Sequence, residues 1–218
     1  MVRSRPPAPI PGANSSHSVA RLHRRIFHLT AGSTFPTVYL FVDKELVLPA
    51  AIATACAAII LELIRKYSHG FNEKFLALVA PLTKASETQS VLGSTWMLIG
   101  TAISIGLLEQ PLAIQALYYL SLGDPSAALV GERHGRHKIG PKSLEGSVIF
   151  LIVSITIGSV LLVTKLETPY TIMIIGAVAA AITELTPTLG SASGNVDDNL
   201  KIPLVAGALM ELASQWLV

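Results

Sequence analysis

The sequence predicts an all-α fold, that of a polytopic integral membrane protein with about seven transmembrane helices. Three observations lead to this prediction. Of the 218 residues, 51% are hydrophobic and 14% are charged, and the mean hydropathy is +0.57, which is unusual for a soluble domain. Apolar segments of roughly 17 to 20 residues, the length that a membrane-spanning helix needs, recur along the chain. Nearly all basic residues fall at the ends of alternate segments.

Seven apolar segments follow one another along the chain. They span residues 26–42, 46–64, 92–108, 111–130, 145–165, 169–186 and 202–218. The third, LGSTWMLIGTAISIGLL, carries no charge, whereas the first and the last contain His28 and Glu211. All are close to the length that a bilayer requires, so each is predicted to cross.

The remaining parts of the chain divide into a tail and loops. Residues 1–20 are rich in proline and serine and have no apolar core, so we expect a disordered cytosolic tail and not a signal peptide. Residues 21–218 then form one membrane domain without an internal repeat. Between the second and third segments, FLALVAPL (75–82) is too short to cross and is broken by Pro81. We expect an interfacial or re-entrant helix there.

The distribution of basic residues predicts the orientation. If the tail is cytoplasmic, seven crossings place 14 of the 16 Lys and Arg residues on the cytoplasmic side and leave only Lys44 and Lys165 outside. This is the positive-inside bias of membrane proteins. The location is thus a prokaryotic plasma membrane, or the endoplasmic reticulum of a eukaryote. Because topology and anionic headgroups explain the basic residues, no nucleic-acid partner is predicted.

The block GDPSAALVGERHGRHKIGPKSLEG (123–146) holds most of the chain's unusual chemistry. Asp124 lies before Pro125 near the inner end of the fourth segment, where the helix either restarts or is kinked. An ionisable group at membrane depth is a functional candidate. Small residues recur at every fourth position, at Gly123, Ala127 and Gly131. Such a stripe allows another helix to approach closely.

The second half of that block is basic and ends in a helix start. Ser143 can cap a helix that begins near Leu144, and the amides of its first turn bind phosphate well. Lys138 and Lys142 would add point charges. Pro141 adds one residue before the lysine of a P-loop pattern, and no strand precedes the loop, so a P-loop is rejected. Simple topological anchoring remains the alternative for these bases.

Acidic residues predicted on the same side supply the ligands of a candidate metal site. Glu184 lies near the end of the sixth segment, and Asp198 and Asn199 precede the seventh. Magnesium prefers oxygen ligands and binds one or two carboxylates together with substrate phosphates. We therefore predict a Mg²⁺ site formed by Asp124 with Glu184 or Asp198. Together these residues suggest a nucleotide site, although each alone is equally consistent with a cap or a solvated loop.

Four further residues stand out at the same membrane face. His28 lies at the inner mouth of the first segment, and Glu87 precedes the third. For both, structural and functional roles stay open. Glu62 and Arg65 lie one helical turn apart and are predicted to form a local ion pair.

Taken together, these residues resemble a known family. The matching pieces are RRIFHL (24–29), ELIR (62–65), Glu87, GDPSAALVGERHGRHKIGPKSLEGS (123–147), Glu184 and DDNLKIPL (197–204). In combination the chain is similar to the dolichol kinase and phytol kinase family of CTP-dependent lipid kinases, which includes a diacylglycerol kinase branch. The resemblance covers residues 21–218 and implies a transmembrane kinase domain.

The resemblance implies transfer of the terminal phosphate of CTP, with Mg²⁺, to a membrane isoprenoid alcohol of the polyprenol, dolichol or phytol type at the cytosolic face. The catalytic residues that it implies are Asp124, Lys142, Glu184, Asp198 and His28. The nucleotide-binding residues are Gly123, Asp124, Lys138, Lys142, Ser143, Glu145 and Asn199, where Glu145 orients a lysine or the metal. Phosphoryl transfer depends mainly on positioning and charge stabilisation, and a carboxylate or His28 accepts the hydroxyl proton.

Several alternatives stay open at this point. A diacylglycerol kinase would share the whole pattern. A phosphatidate cytidylyltransferase would attack the α-phosphate of CTP, but the late Pro-Gly-His-Gly-Gly signature of that family is absent from ELTPTLGSASGNVDDNLKIPL (184–204). A small transporter would show repeats or matching broken helices, and the sequence has neither. Homo-oligomerisation is left open.

Overall fold

The computed structural model describes residues 13–83, 87, 90–186 and 196–217. Within these residues the protein is helical apart from one short hairpin, which confirms the all-α prediction. The helices are α1 (Ala13–Tyr39), α2 (Lys44–Tyr67), α3 (His69–Val79), α4 (Gly93–Leu107), α5 (Gln110–Tyr118), α6 (Asp124–His134), α7 (Leu144–Thr164), α8 (Tyr170–Leu185) and α9 (Asp198–Leu217). A 3₁₀ turn (Ala80–Leu82) follows α3, and a π-helical segment (Tyr119–Gly123) joins α5 to α6.

Within the described part of the chain, two helices are long and apolar enough to cross a membrane. They are α2 and α7, with mean hydropathies of 2.3 and 2.5 over their most apolar windows. Only 17% and 33% of these windows are buried inside the protein, so most of the apolar surface faces outward, as expected for a membrane protein. The shorter apolar helices α4 and α8 fall below that length. Seven crossings are therefore not confirmed, although every predicted segment is largely helical.

The first helix begins earlier than the predicted tail ends. Helix α1 starts at Ala13 and so includes the last eight residues of the tail 1–20, while residues 1–12 lie outside the described part. The disorder of the tail and the boundary at residue 20 stay predictions.

The short connections between helices meet at one end of the bundle. The ammonium of Lys44 donates to the carbonyl of Leu108 over 3.4 Å, and that of Lys165 lies 4.9 Å from the centre of the Phe41 ring. These contacts join the α1–α2, α4–α5 and α7–α8 connections. The hairpin region before α7, the end of α8 and the start of α9 lie at the other end of the bundle.

The small-residue stripe of α6 packs against α7. A Cβ atom on Gly123 would lie 2.8 Å from the Phe150 ring, and one on Gly131 would lie 2.8 Å from Ser143 Oγ. Ala127, between them, is 1% exposed. The prediction that another helix approaches this stripe closely is confirmed.

The helix does not stop at Asp124. Helix α5 continues through the π-helical segment directly into α6, and Pro125 lies in the first turn of α6. Proline has no N–H for a helical hydrogen bond, and the widened turn occurs just before it. Of the two predicted alternatives, a continuous but distorted helix is the one found.

The basic loop forms a β-hairpin that the sequence analysis did not predict. Strands β1 (Lys138–Ile139) and β2 (Lys142–Ser143) pair antiparallel. Gly140, with φ of 59°, and Pro141 form the two-residue turn. Glycine at the first turn position suits such a hairpin because it adopts positive φ without strain. The hairpin places Lys142 directly before α7.

Candidate active site

Lys142 is the centre of a charged cluster built from four distant parts of the chain. Its Nζ lies 3.0 Å from Glu184 Oε1 at the end of α8 and 3.0 Å from Asp198 Oδ2 at the start of α9. Asp124, at the start of α6, adds a longer-range attraction. The structure thus brings together the lysine and all three carboxylates that the sequence singled out.

Both charges at the centre of the cluster are stabilised. Burial opposes the charge of Lys142, but the carboxylates of Asp124, Asp198 and Glu184 outweigh it and raise the pKa of Lys142 above its usual value. Burial likewise opposes ionisation of Asp198, but Lys142 and Lys201 hold the pKa of Asp198 below its usual value. At neutral pH, Lys142 is therefore a cation and cannot serve as a base.

Glu184 is held by a residue that the sequence analysis missed. Glu184 is 3% exposed. Its second carboxylate oxygen accepts a hydrogen bond from the hydroxyl of Ser147, which lies one turn into α7. A buried carboxylate needs such partners for both oxygens. The sequence offered one sign of this role. Ser147 follows the cap residue Ser143 by four positions, so both lie on the same side of the start of α7.

Asp124 differs from the other two carboxylates. Glu184 and Asp198 are each paired with a lysine. Among the described residues, the Asp124 side chain forms no hydrogen bond or ion pair, and it lines a cavity. Its carboxylate is thus the one most available to a ligand.

The donor set can be compared with the needs of Mg²⁺. Among the described residues, no three His, Cys, Asp or Glu side chains are close enough to enclose a metal ion. A nucleotide-bound Mg²⁺ takes only one or two carboxylates, and phosphates and water fill its other positions. Asp124 with Asp198 or Glu184 fits that smaller requirement, and a metal would then compete with Lys142 for the second carboxylate.

The start of α7 is capped as predicted. Ser143 Oγ accepts a hydrogen bond from the Gly146 amide over 3.2 Å, and the Leu144 amide donates to the His137 carbonyl over 3.0 Å. Two of the first-turn amides are therefore already used within the protein. This limits the predicted role of these amides and of Ser143 in holding phosphate, and it places more weight on the lysines.

Four other predicted nucleotide-binding residues have partners of their own. Lys138 lines the cavity, and its ammonium donates to the Gly131 carbonyl over 3.1 Å. Asn199 also lines the cavity, and its side-chain amide donates to the carbonyl of Gly93 at the start of α4 over 3.0 Å. Lys138 and Asn199 therefore line the same cavity as Lys142.

The other two lie away from the cavity wall. Glu145 accepts hydrogen bonds from His137, 2.7 Å from its Nδ1, and so steadies the hairpin without contacting a lysine. Gly123 is buried against the ring of Phe150. The structure thus shows packing and positioning contacts for both residues, and their roles in binding the nucleotide stay predictions.

His28 lines the same cavity from α1. Its Nε2 is buried and has no hydrogen-bond partner among the described residues. The preceding turn of α1 is attached to α6 by an ion pair of 2.6 Å between Arg25 and Glu132. His28 is therefore held beside the helix that carries Asp124, with one ring nitrogen available.

The predicted ion pair of Glu62 and Arg65 is confirmed, with 2.7 Å between Arg65 Nη1 and Glu62 Oε2. It belongs to a larger network. The other oxygen of Glu62 accepts from the Leu92 amide and from Thr95 Oγ1, and Arg65 also donates to the carbonyl of Glu87. This network fixes the start of α4 to the end of α2. Glu87, 8% exposed, borders the cavity from there.

The cavity has a volume of about 510 Å³, within the range of small-molecule sites. Its lining joins two chemically different surfaces. Charged groups come from the hairpin, from the ends of α6, α8 and α9, and from Arg24 and Arg25 of α1, whereas Phe27 of α1, helix α3 and the 3₁₀ turn contribute apolar side chains. The cavity can therefore accommodate a ligand that has both a charged and an apolar part.

Comparison with known proteins gives distant relatives. No family model and no solved structure matches the chain. It is 29% identical over 186 residues to an uncharacterized protein of Rickettsia prowazekii, covering 83% of this chain and 88% of that protein. It is 29% identical over 138 residues to CTP-dependent diacylglycerol kinase 1 of Saccharomyces cerevisiae, and 27% identical over 140 residues to that of Eremothecium gossypii. Each of these two alignments covers 61% of this chain, and they cover 47% and 43% of the kinases. The chain thus spans about half the length of these kinases.

Proposed function

We propose that this protein is a CTP-dependent lipid kinase that transfers the γ-phosphate of CTP to a lipid hydroxyl. The main support is that Lys142 lies among Asp124, Glu184 and Asp198 in a cavity that also has an apolar wall. The similarity to two CTP-dependent diacylglycerol kinases supports the same activity. The same similarity supports CTP as the phosphate donor. The contacts among the described cavity residues do not by themselves distinguish CTP from another nucleotide.

The residues have distinct tasks in this proposal. Lys142, a permanent cation near neutral pH, attracts the phosphates and neutralises charge on the transferred group. Asp124, with Asp198 or Glu184, would hold a Mg²⁺ that enters with the nucleotide and supplies further neutralisation of the phosphates. His28 accepts the proton of the attacking hydroxyl at its unpartnered Nε2. With His28→Ala, phosphate transfer should fall while CTP binding persists, and unchanged transfer would assign the proton to a carboxylate.

The acceptor has two candidates. The relatives are named as diacylglycerol kinases, which favours diacylglycerol. An isoprenoid alcohol, which the sequence resemblance suggested, offers the same hydroxyl on an apolar chain and remains the second candidate. We propose that the N-terminus and the cavity face the cytoplasm, which the positive-inside bias predicts and which would give the cavity access to cytosolic CTP.

The test is a transfer assay with the purified protein in lipid vesicles. CTP labelled at either the α- or the γ-phosphate, and γ-labelled ATP, are each offered with dioleoylglycerol, a polyprenol or phytol, in the presence of Mg²⁺. We expect γ-label from CTP on one of the alcohols. Label from the α-phosphate on a lipid, with release of pyrophosphate, would instead indicate a cytidylyltransferase. Absence of transfer from either position to any lipid would overturn the proposal.

A further inference from the structure

One wall of the cavity is apolar and comes from four neighbouring elements. The residues that form it are Phe27 of α1, Phe75 and Val79 of α3, Leu82 of the 3₁₀ turn, and Met97 of α4. The same cavity contains Lys142, Asp124 and His28. Water alone would leave this apolar surface unfavourably exposed, so the wall indicates a ligand with a hydrocarbon part.

Helix α3 has two different faces. Val79 is partly buried and lines the cavity, whereas its neighbour Leu78 is 80% exposed. At the start of the helix, His69 and Glu73 form an exposed pair 3.3 Å apart. An apolar outer surface beside a charged end is typical of a helix that lies along a membrane surface. Helix α3 would then separate the cavity from the lipid.

The position of α3 is fixed by Arg65 at the end of α2. Arg65 is 5% exposed. Its Nε donates to Asn72 Oδ1 over 3.0 Å, and its guanidinium lies 5.3 Å from the centre of the Phe75 ring. Because Phe75 and Val79 lie one turn apart, this clamp holds the apolar wall in place. The wall is thus held in position by specific contacts.

We propose that this wall, formed by Phe27, Phe75, Val79, Leu82 and Met97, binds the hydrocarbon chain of the acceptor lipid and directs its hydroxyl toward His28 and Lys142. This inference rests on the proposed kinase function and adds the position of the lipid within the site. The chain enters along α3 and the 3₁₀ turn from the surrounding bilayer. The apolar wall and the charged cluster are continuous within one cavity, so a lipid on the wall can reach Lys142 with its hydroxyl.

The test uses a diacylglycerol that carries a photoreactive diazirine in one acyl chain. The protein is labelled in vesicles and digested, and the labelled residues are mapped by mass spectrometry. We expect labels within 75–82 and at Phe27 or Met97, competed by unlabelled dioleoylglycerol. Labels confined to the outer faces of α2 or α7 would overturn the proposal without any variant being needed.

A matched pair of variants tests the same wall by kinetics. Val79→Trp fills the cavity side of α3, whereas Leu78→Trp adds the same group to its exposed side. For Val79→Trp we expect a KM for dioleoylglycerol raised by about 10-fold or more, an unchanged KM for CTP and a smaller effect on a short-chain diacylglycerol. Leu78→Trp should resemble the wild type. Equal kinetics of the two variants would contradict the proposal. If the wild type is labelled at the wall but transfers no phosphate, the kinase function fails and the lipid subsite stands.

Discussion

Lys142 Nζ lies 3.0 Å from Glu184 Oε1, although 42 residues separate the two in sequence. The contact joins the hairpin before α7 to the end of α8, and Asp198 joins the start of α9 to the same ammonium. The ion pairs therefore close one end of the bundle around the cavity. Removing Lys142 leaves the buried carboxylate of Glu184 without its ion-pair partner, whereas removing Glu184 leaves Lys142 paired with Asp198.

Lys142 and Glu184 should be strongly coupled in stability. We expect Lys142→Met to lower the free energy of unfolding by about 3 kcal/mol, because Glu184 is left buried and unpaired. The double variant Lys142→Met/Glu184→Gln should lose less than the sum of the two single variants. Denaturant unfolding in detergent measures all four proteins. Additive losses would mean that the contact contributes no coupling.

Asp124 should matter for activity and little for folding. Its carboxylate has no hydrogen bond or ion pair among the described residues, so Asp124→Asn should lower the melting temperature only slightly, through the lost attraction for Lys142. We expect kcat to fall by about 100-fold or more, because charge stabilisation at the phosphates is lost. Asp43→Asn, which changes an exposed carboxylate at the other end of the bundle, is the control. A fully active Asp124→Asn protein would remove this residue from the site.

Ser147 should affect phosphate transfer indirectly, by holding the carboxylate of Glu184 in position. In Ser147→Ala, one oxygen of Glu184 loses its donor, so kcat should fall by about 10-fold, the effect of losing roughly 1.4 kcal/mol. Ser147→Thr should restore most of it. Ser154→Ala is the matched control, since Ser154 is buried in the same helix and its hydroxyl has no partner among the described residues. Similar losses in both alanine variants would indicate a packing effect only.

The charged cluster predicts the pH range of stability. The pKa of Asp198 is lowered in the folded protein, so its stabilisation is present above its unfolded value of about 3.9 and is lost as the pH falls through the folded value. The pKa of Lys142 is raised, so its stabilisation is complete below about 10.4 and is lost only as the pH rises through the folded value. Between these two pH values, the contribution of Asp198 and Lys142 to the melting temperature should stay constant.

The acid side of that profile can be checked with Asp198→Asn. The variant should be less stable than the wild type near neutral pH, and its melting temperature should decline less on acidification. Parallel declines of the two proteins below pH 4 would assign acid unfolding to other carboxylates.

The helices were predictable from the sequence because long apolar segments follow local rules. The cap at Ser143, the pair of Glu62 and Arg65 and the small-residue stripe of α6 were also predictable, since each depends on spacing within one or two turns. The roles of Ser147 and the turn at Gly140 were not. Ser147 matters only because α8 brings Glu184 beside α7, and such contacts between distant elements leave little local signal.

The Mg²⁺ site stays a prediction, and its surroundings also depend on contacts between distant elements. Three acidic residues in sequence suggest a metal centre, but the folded chain places Lys142 between Glu184 and Asp198. Only the arrangement in space shows that a cation of the protein already occupies part of the carboxylate cluster. The number of membrane crossings is likewise not confirmed, because α4, α8 and α9 do not reach the length and hydropathy of α2 and α7.

The most direct test of the central claim compares Lys142→Ala with Lys165→Ala in the γ-labelled CTP assay. Lys165 lies near Phe41 at the opposite end of the bundle and controls for the loss of one positive charge. The account predicts labelled lipid monophosphate from the wild type and from Lys165→Ala, and a loss of about 100-fold or more for Lys142→Ala at saturating lipid. Equal transfer by the two variants, with both proteins folded, would contradict it.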